Sequence, residues 1–252
     1  MMNRRSVLAY FMTLCIVLFF LVLIGENEYT ELTFSEESGF YDNAFRLRIY
    51  APRGTEIYYT LDGSVPDENA LQYMEPILIK DATENDNVHS TRDDMTSGFL
   101  KEDILLYGQE PPNYVIPDYL VDKCTVVRAA YRDAEGNFSE VETRNYFVGF
   151  QDKEGYAGFN IISIVAEPDD LFGYEDGIYV RGKLYDAYVN EADRSAIPWV
   201  WWGANYHQHG KEWERDCNVQ IFNAGKMQLL DKECGVYLHH NSMPQIHCHI
   251  FP

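Results

Sequence analysis

Between Glu56 and Ile79 the chain reads EIYYTLDGSVPDENALQYMEPILI, a stretch that leaves the backbone little choice. Ile57, Tyr59 and Leu61 alternate with Glu56, Tyr58 and Thr60, the period of two that puts successive side chains on opposite faces of a half-buried strand. Asp62-Gly63 ends the run with a dipeptide tolerant of positive φ, so the chain reverses there. Pro66 has no amide hydrogen to give a ladder. Pro76 heads Ile77-Leu78-Ile79, at the edge position where a strand accepts proline. Strand, turn, loop and second strand follow, with Tyr58, Tyr59 and Asp62 read as core and turn residues.

The flanking sequence repeats this grammar. Phe45, Leu47 and Ile49 alternate with Arg46, Arg48 and Tyr50 ahead of the Pro52-Arg53-Gly54 turn. Thr125 to Tyr131 and Val141 to Val148 flank Asp133-Ala134-Glu135-Gly136-Asn137, which reads as a hairpin. Between Asp81 and Lys123 the pattern lapses into a long polar loop, with Phe99, Leu100, Ile104, Leu105 and Leu106 as the apolar residues of a short helix. Beyond Phe150, strands are expected at Asn160 to Val165 and Gly177 to Val180, with a helical turn at Pro168 to Phe172. A second hairpin pairs Cys217 to Phe222 with Met227 to Leu230 around Asn223-Ala224-Gly225-Lys226. Nineteen tyrosines and 15% aromatic residues favour β-structure and exclude disorder.

The N-terminus is of another kind. Arg4 and Arg5 precede Val7 to Ile24, an uncharged, proline-free apolar run of 18 residues, long enough to cross a bilayer. The exit, Ile24-Gly25-Glu26-Asn27-Glu28, has no small-x-small cleavage signature, and Cys15 lacks a lipoprotein box. The reading is a signal anchor; secretion after signal cleavage is the alternative. Past Gly25 stand 18 basic and 40 acidic residues, a net of −22. With the arginines retained inside, the remainder faces outward from the plasma membrane. Such acidity excludes nucleic acid and anionic lipid surfaces as partners.

Two resemblances lie in these residues. IYYTLDGSVP, with Tyr73 to Ile77, Ser38-Gly39-Phe40-Tyr41 upstream and Thr125-Val126-Val127-Arg128-Ala129 downstream, resembles the C-terminal β-sandwich of chitobiase and β-hexosaminidase enzymes. It implies an immunoglobulin-like accessory module without catalytic residues. Pro168 to Phe172, Gly177 to Val180, Asn205-Tyr206, Gly210, Glu212-Trp213-Glu214-Arg215, Val219 to Phe222 and Cys234-Gly235-Val236 resemble the opening of the spore-coat-protein-H (CotH) kinase-like family. Complete members imply a reduced kinase fold that binds ATP and magnesium and phosphorylates protein hydroxyls. This chain departs from that pattern: Tyr237 and Pro244 stand at the arginine positions, His240 at the second glycine, and Ile246 or His247 where the nucleotide lysine is expected. Phosphoryl transfer needs lysine, metal-binding carboxylates and base together. The resemblance therefore implies an incomplete lobe, with one face left uncovered and its stability below that of the sandwich.

Other constellations have residue types that can carry chemistry. His207 with His209, and His247-Cys248-His249, have the ligand types of a zinc or copper site, but a tail of divergent sequence is the plainer reading. Glu212 and Glu214 do not suit glycoside hydrolysis: on one strand they point the same way and flank no sugar, and with Arg215 they read as an ion-paired strand. Trp199, Trp201 and Trp202 pack as core more readily than they stack on sugars. Mirroring about the turn sets Cys217 opposite about position 232, so a disulfide to Cys234 is open and not compelled.

The expected fold is mainly β: a cytoplasmic tip and transmembrane helix over residues 1–25, a stalk over 26–31, an immunoglobulin-like sandwich over 32–149 and a partial kinase-like lobe over 155–252. No catalytic, cofactor-binding or metal residue is assigned, and no cofactor is expected for this chain. Its expected partners are the membrane, through residues 7–24, and a cell-envelope glycan or protein. The function expected is that of a membrane-anchored surface protein with an accessory sandwich and an inactive lobe. The alternatives are an N-terminal fragment of an active CotH-type kinase and a carbohydrate-binding module.

Overall fold

The computed structural model describes residues 29–95, 116–150, 153–191, 203–241 and 243–250. The first half contains β1 (Thr33–Phe34), β2 (Gly39–Tyr41), β3 (Phe45–Leu47), β4 (Ile49–Tyr50), β5 (Glu56–Thr60), β6 (Leu71–Gln72), β7 (Ile77–Ile79), β8 (Thr125–Arg132) and β9 (Glu142–Val148). The second contains β10 (Ile161–Ala166), α1 (Pro168–Phe172), α2 (Gly182–Glu191), β11 (Arg215–Phe222), β12 (Gln228–Asn241) and β13 (Met243–Ile250). The chain is mainly β with few helices. Among the described residues no helix is long and apolar enough to cross a membrane. The run at Val7 to Ile24 lies outside them, as do Phe99, Leu100, Ile104, Leu105, Leu106, Trp199, Trp201 and Trp202.

Three layers result. A five-stranded sheet in the order β2-β9-β8-β5-β6 lies in the middle, with β2 parallel to β9 and the other neighbours antiparallel. The short pairs β1-β4 and β3-β7 cover one face. Leu32, Phe34, Leu47, Ile49, Ile77 and Ile79 come from that cover; Val127, Ala129, Tyr146 and Val148 meet them from the middle sheet. On the other side stands the four-stranded antiparallel sheet β10-β11-β12-β13.

The expected hairpins form, with corrections. Asp62 accepts from both the amide and the hydroxyl of Ser64, and Gly63 takes φ +90°. Leu61, expected on the strand, belongs to this turn and is exposed. The return partner of β5 is Leu71–Gln72 rather than Ile77–Ile79. Past Pro76 the chain has changed layers, and β7 pairs with β3.

The larger correction is at Gly177 to Val180, which is not a strand. The Ile178 and Tyr179 amides donate instead to the carbonyls of Asp170 and Leu171, tying the segment back onto α1. Glycine at 177 lets it pass, since an added Cβ would come within 2.4 Å of Gly173 N. The ten-residue helix α2 was not expected. Its start is held from a distance: Asn205, fully buried, accepts from the Leu184 amide and donates to Tyr174 O.

Candidate functional site: a seam between two sheets

Alternation along the middle sheet creates the site. On β9, Tyr146 and Val148 point into the sandwich core, so Thr143, Asn145 and Phe147 point the other way. On β8, Val127 and Ala129 do the former, Arg128 and Ala130 the latter. This second face is not solvated; all five of its residues named here are buried. The same alternation on β11 sends Cys217 and Val219 toward α1 and Asn218, Gln220 and Phe222 toward the sandwich.

One end of the seam is aromatic. Phe222, fully buried, meets the rings of Phe40 and Phe147 edge-on at centroid distances of 5.4 and 5.5 Å. Phe40 stacks on Phe147 at 4.6 Å, Phe150 closes the cluster, and Lys226 Nζ lies 5.0 Å above Phe40. Such edge-to-face pairs add about 0.5–1.5 kcal/mol each beyond the area they bury.

The other end is polar. The Asn218 amide donates to Asp231 and Glu233 at 2.9 Å each. Gln220 donates to Asp231 at 3.1 Å and, across the seam, to the Thr143 carbonyl at 3.4 Å. Arg128 donates to the Gly63 carbonyl at 2.9 Å and has Glu233, Glu167 and Asp170 as its acidic surroundings. Burial works against the guanidinium charge and lowers its pKa; the three carboxylates oppose that shift. Burial raises the Glu233 pKa more than Asn218 and Arg128 lower it. Part of that side chain reaches solvent, so screening weakens its pull on Arg128. Arg128 Nε, Thr143 Oγ1, both polar atoms of the Asn145 amide, Asn218 Oδ1 and Gln220 Oε1 are buried without a hydrogen-bond partner among the described residues. Buried polar atoms in such number are ordinarily satisfied by ordered water.

A strap from the polar loop of the sandwich reinforces the contact. His89 stacks on Phe172 at 4.3 Å, and Arg92 lies 5.4 Å above the same ring while donating to the Phe172 carbonyl. The Arg181 amide donates to Asp94 O at 2.9 Å and its guanidinium to Asp93 O at 3.1 Å. Through these contacts and the Phe222 cluster, the sandwich covers one face of the β10–β13 sheet.

The sequence-derived candidates separate in space. Glu212 lies in a 3-10 turn, Lys211–Trp213, with Glu214 just after it, so they do not share a strand. Arg215 donates to their main-chain carbonyls, while its carboxylate partners are Asp170 and Asp176. His207 ends another 3-10 turn and His209 follows in an exposed loop, so strand geometry does not align them either. The segment from His247 to His249 is not a frayed tail: it forms part of β13, paired residue for residue with Gly235 to Tyr237. Among the described residues no three His, Cys, Asp or Glu side chains converge as metal ligands. Cys217 faces Cys234 rather than position 232, because five residues turn the hairpin and a register shift follows at Phe222.

Two concavities among the described residues bear on ligand binding. One, of about 140 Å³ and wholly apolar, is lined by Ile164, Leu171, Phe172, Ile178, Tyr179, Val236 and Leu238. It is smaller than the 300–1,000 Å³ usual for a ligand site, and its walls hold nothing for phosphate. The other, an open groove of about 690 Å³, runs beside β5 and β6 to Glu167. Its polar groups are already engaged: Asp62 and Asp67 in their own turns, Glu167 with the Val65 amide at 2.7 Å.

Residues 47–146 match the Fn3-associated family model. The match runs from the end of β3 into β9, which makes it the sandwich and identifies that half as a β-sandwich associated domain. No curated protein and no solved structure matches the chain. The seam residues that sequence reasoning missed include Arg128, Thr143 and Asn145 inside the Fn3-associated segment, and Asn218 and Gln220 beyond it. Only the β8 part of the seam carried a signal: Val126-Val127-Arg128-Ala129-Ala130 is apolar at every position but Arg128, as in a strand covered on both sides.

Proposed function

We propose that this protein is a membrane-anchored surface protein in which a non-catalytic, chitobiase-type sandwich serves as the mounting for an incomplete CotH kinase-like unit. The single observation carrying this reading is the burial of Phe222 among Phe40, Phe147 and Phe150. The sandwich face that would otherwise meet a ligand holds the second unit instead. Two helices, α1 and α2, lie between β10 and β11 of an antiparallel sheet, and this helical insertion, with the residues quoted for that resemblance, supports a kinase-like N-terminal lobe. The anchor and the outward orientation rest on Arg4, Arg5 and the run from Val7 to Ile24.

The test uses the full chain, tagged at its C-terminus. The tag stays with the membrane fraction through an alkaline carbonate wash and is cleaved by protease added to intact cells. The purified chain, given ATP and magnesium, transfers no phosphate to itself or to a generic protein substrate. A protected tag, a soluble chain or measurable transfer would each refute the corresponding part of the reading.

A further inference from the structure

Cys217 and Cys234 are register partners on β11 and β12, with their sulfurs 3.5 Å apart. They are 1% and 2% exposed, packed with Ala166, Ile178, Val219 and Val236. Opposed residues on antiparallel strands have Cα atoms about 4.5–5.5 Å apart, inside the range of about 4.4–6.8 Å that a disulfide spans. The register is unbroken from Arg215 opposite Val236 to Ile221 opposite Leu230. The register and the 3.5 Å approach of the sulfurs thus suit a disulfide between these two positions.

We propose that Cys217 and Cys234 are joined as a cross-strand disulfide when the chain folds in an oxidising compartment. In the cell this rests on the outward placement proposed above. The oxidant is a protein disulfide donor. One cysteine thiolate attacks the donor's disulfide and displaces a donor thiolate. The second cysteine then attacks the mixed disulfide and displaces the other donor sulfur. The chain loses two hydrogens, the donor gains them, and one S–S bond is exchanged for another. Because both sulfurs are buried in the finished core, the exchange takes place before β10–β13 closes over α1. The bond pins the register of β11 on β12, and so fixes which β11 side chains meet the sandwich.

The test separates this inference from the outward placement by refolding the purified, reduced full chain in detergent with a glutathione redox buffer. Alkylation in denaturant, followed by peptide mass spectrometry, is expected to show Cys217 and Cys234 in one linked peptide, with Cys15, Cys124 and Cys248 alkylated. Reduction is expected to lower the melting temperature by about 6–12 °C, from the closure of a loop of this length in a chain of this size. The triple variant C15S/C124S/C248S, which leaves only the pair, should oxidise to the same extent as the parent chain. Folded chain with both thiols alkylated, or a linked peptide joining either cysteine to Cys124 or Cys248, overturns the proposal whatever the location of the tag.

Discussion

Phe222→Ala is the sharpest perturbation of the joint between the two halves. The ring is fully buried, with edge-to-face contacts to Phe40 and Phe147. Truncation removes its transfer free energy, leaves a cavity and deletes both aromatic contacts. Phenylalanine-to-alanine changes at such sites cost about 3–5 kcal/mol. For a chain of this length that corresponds to about 6–20 °C in melting temperature. Where the loss appears matters more than its size. With a shared core, the parent chain melts in one transition by calorimetry, and the variant melts in one transition displaced downward or splits into two. Phe222→Leu, which keeps most of the volume, should lose much less. A variant that melts within 2 °C of the parent, where even the low end of the range requires about 6 °C, would refute the claim that Phe222 joins the halves. So would a sandwich that resists protease identically with and without the substitution.

Three further outcomes are expected. Arg128→Met keeps the aliphatic stem but leaves the Gly63 carbonyl without its donor, and should cost about 1.5–3 kcal/mol in urea denaturation at any salt concentration. Burial, and to a lesser degree Arg92, lower the His89 pKa below its ordinary 6.5, so the unfolded chain takes up this proton first. The stabilisation from neutral His89 against Phe172 is then complete above about pH 6.5 and lost as pH falls through the folded pKa; amide exchange at Arg181 should quicken over that interval, and His89→Gln should abolish the dependence. Gly182→Ala places a methyl 2.1 Å from Asn205 Nδ2 at φ +58°, and should cost at least about 2 kcal/mol by thermal melting, whereas Gly39→Ala meets open space and should be nearly silent.

What could be read from the sequence was the local grammar. Asp62-Gly63, the turn after Asp133 and the turn after Asn223 all act where their chemistry placed them, because a turn depends on its own few residues. Layer assignment was not local. Nothing in Ile77-Leu78-Ile79 says that it pairs with β3 rather than β5, since both pairings bury the same alternate residues. Gly177 to Val180 has a strand's composition, yet it is claimed by the unsatisfied carbonyls of α1, a demand that exists only once that helix has formed. The seam was half legible: β8 has apolar residues on both faces, interrupted at Arg128, but Asn218 and Gln220 look like solvent-facing residues until another sheet is placed over them. The helix α2 was missed because its anchor, Asn205, is distant in sequence.

The parallel pairing of β2 with β9 has a consequence in time. Gly39 lies beside Tyr146, so more than a hundred residues must leave the ribosome before the first edge of the middle sheet can dock. Closing a loop of that length is slow, and until then β2 has no partner strand. Even after Val148 emerges, Phe40, Phe147 and Phe150 face water until Phe222 has been synthesised. The nascent chain thus passes through a defined period with an aromatic patch exposed, the condition in which chaperones engage a chain and in which truncated products aggregate.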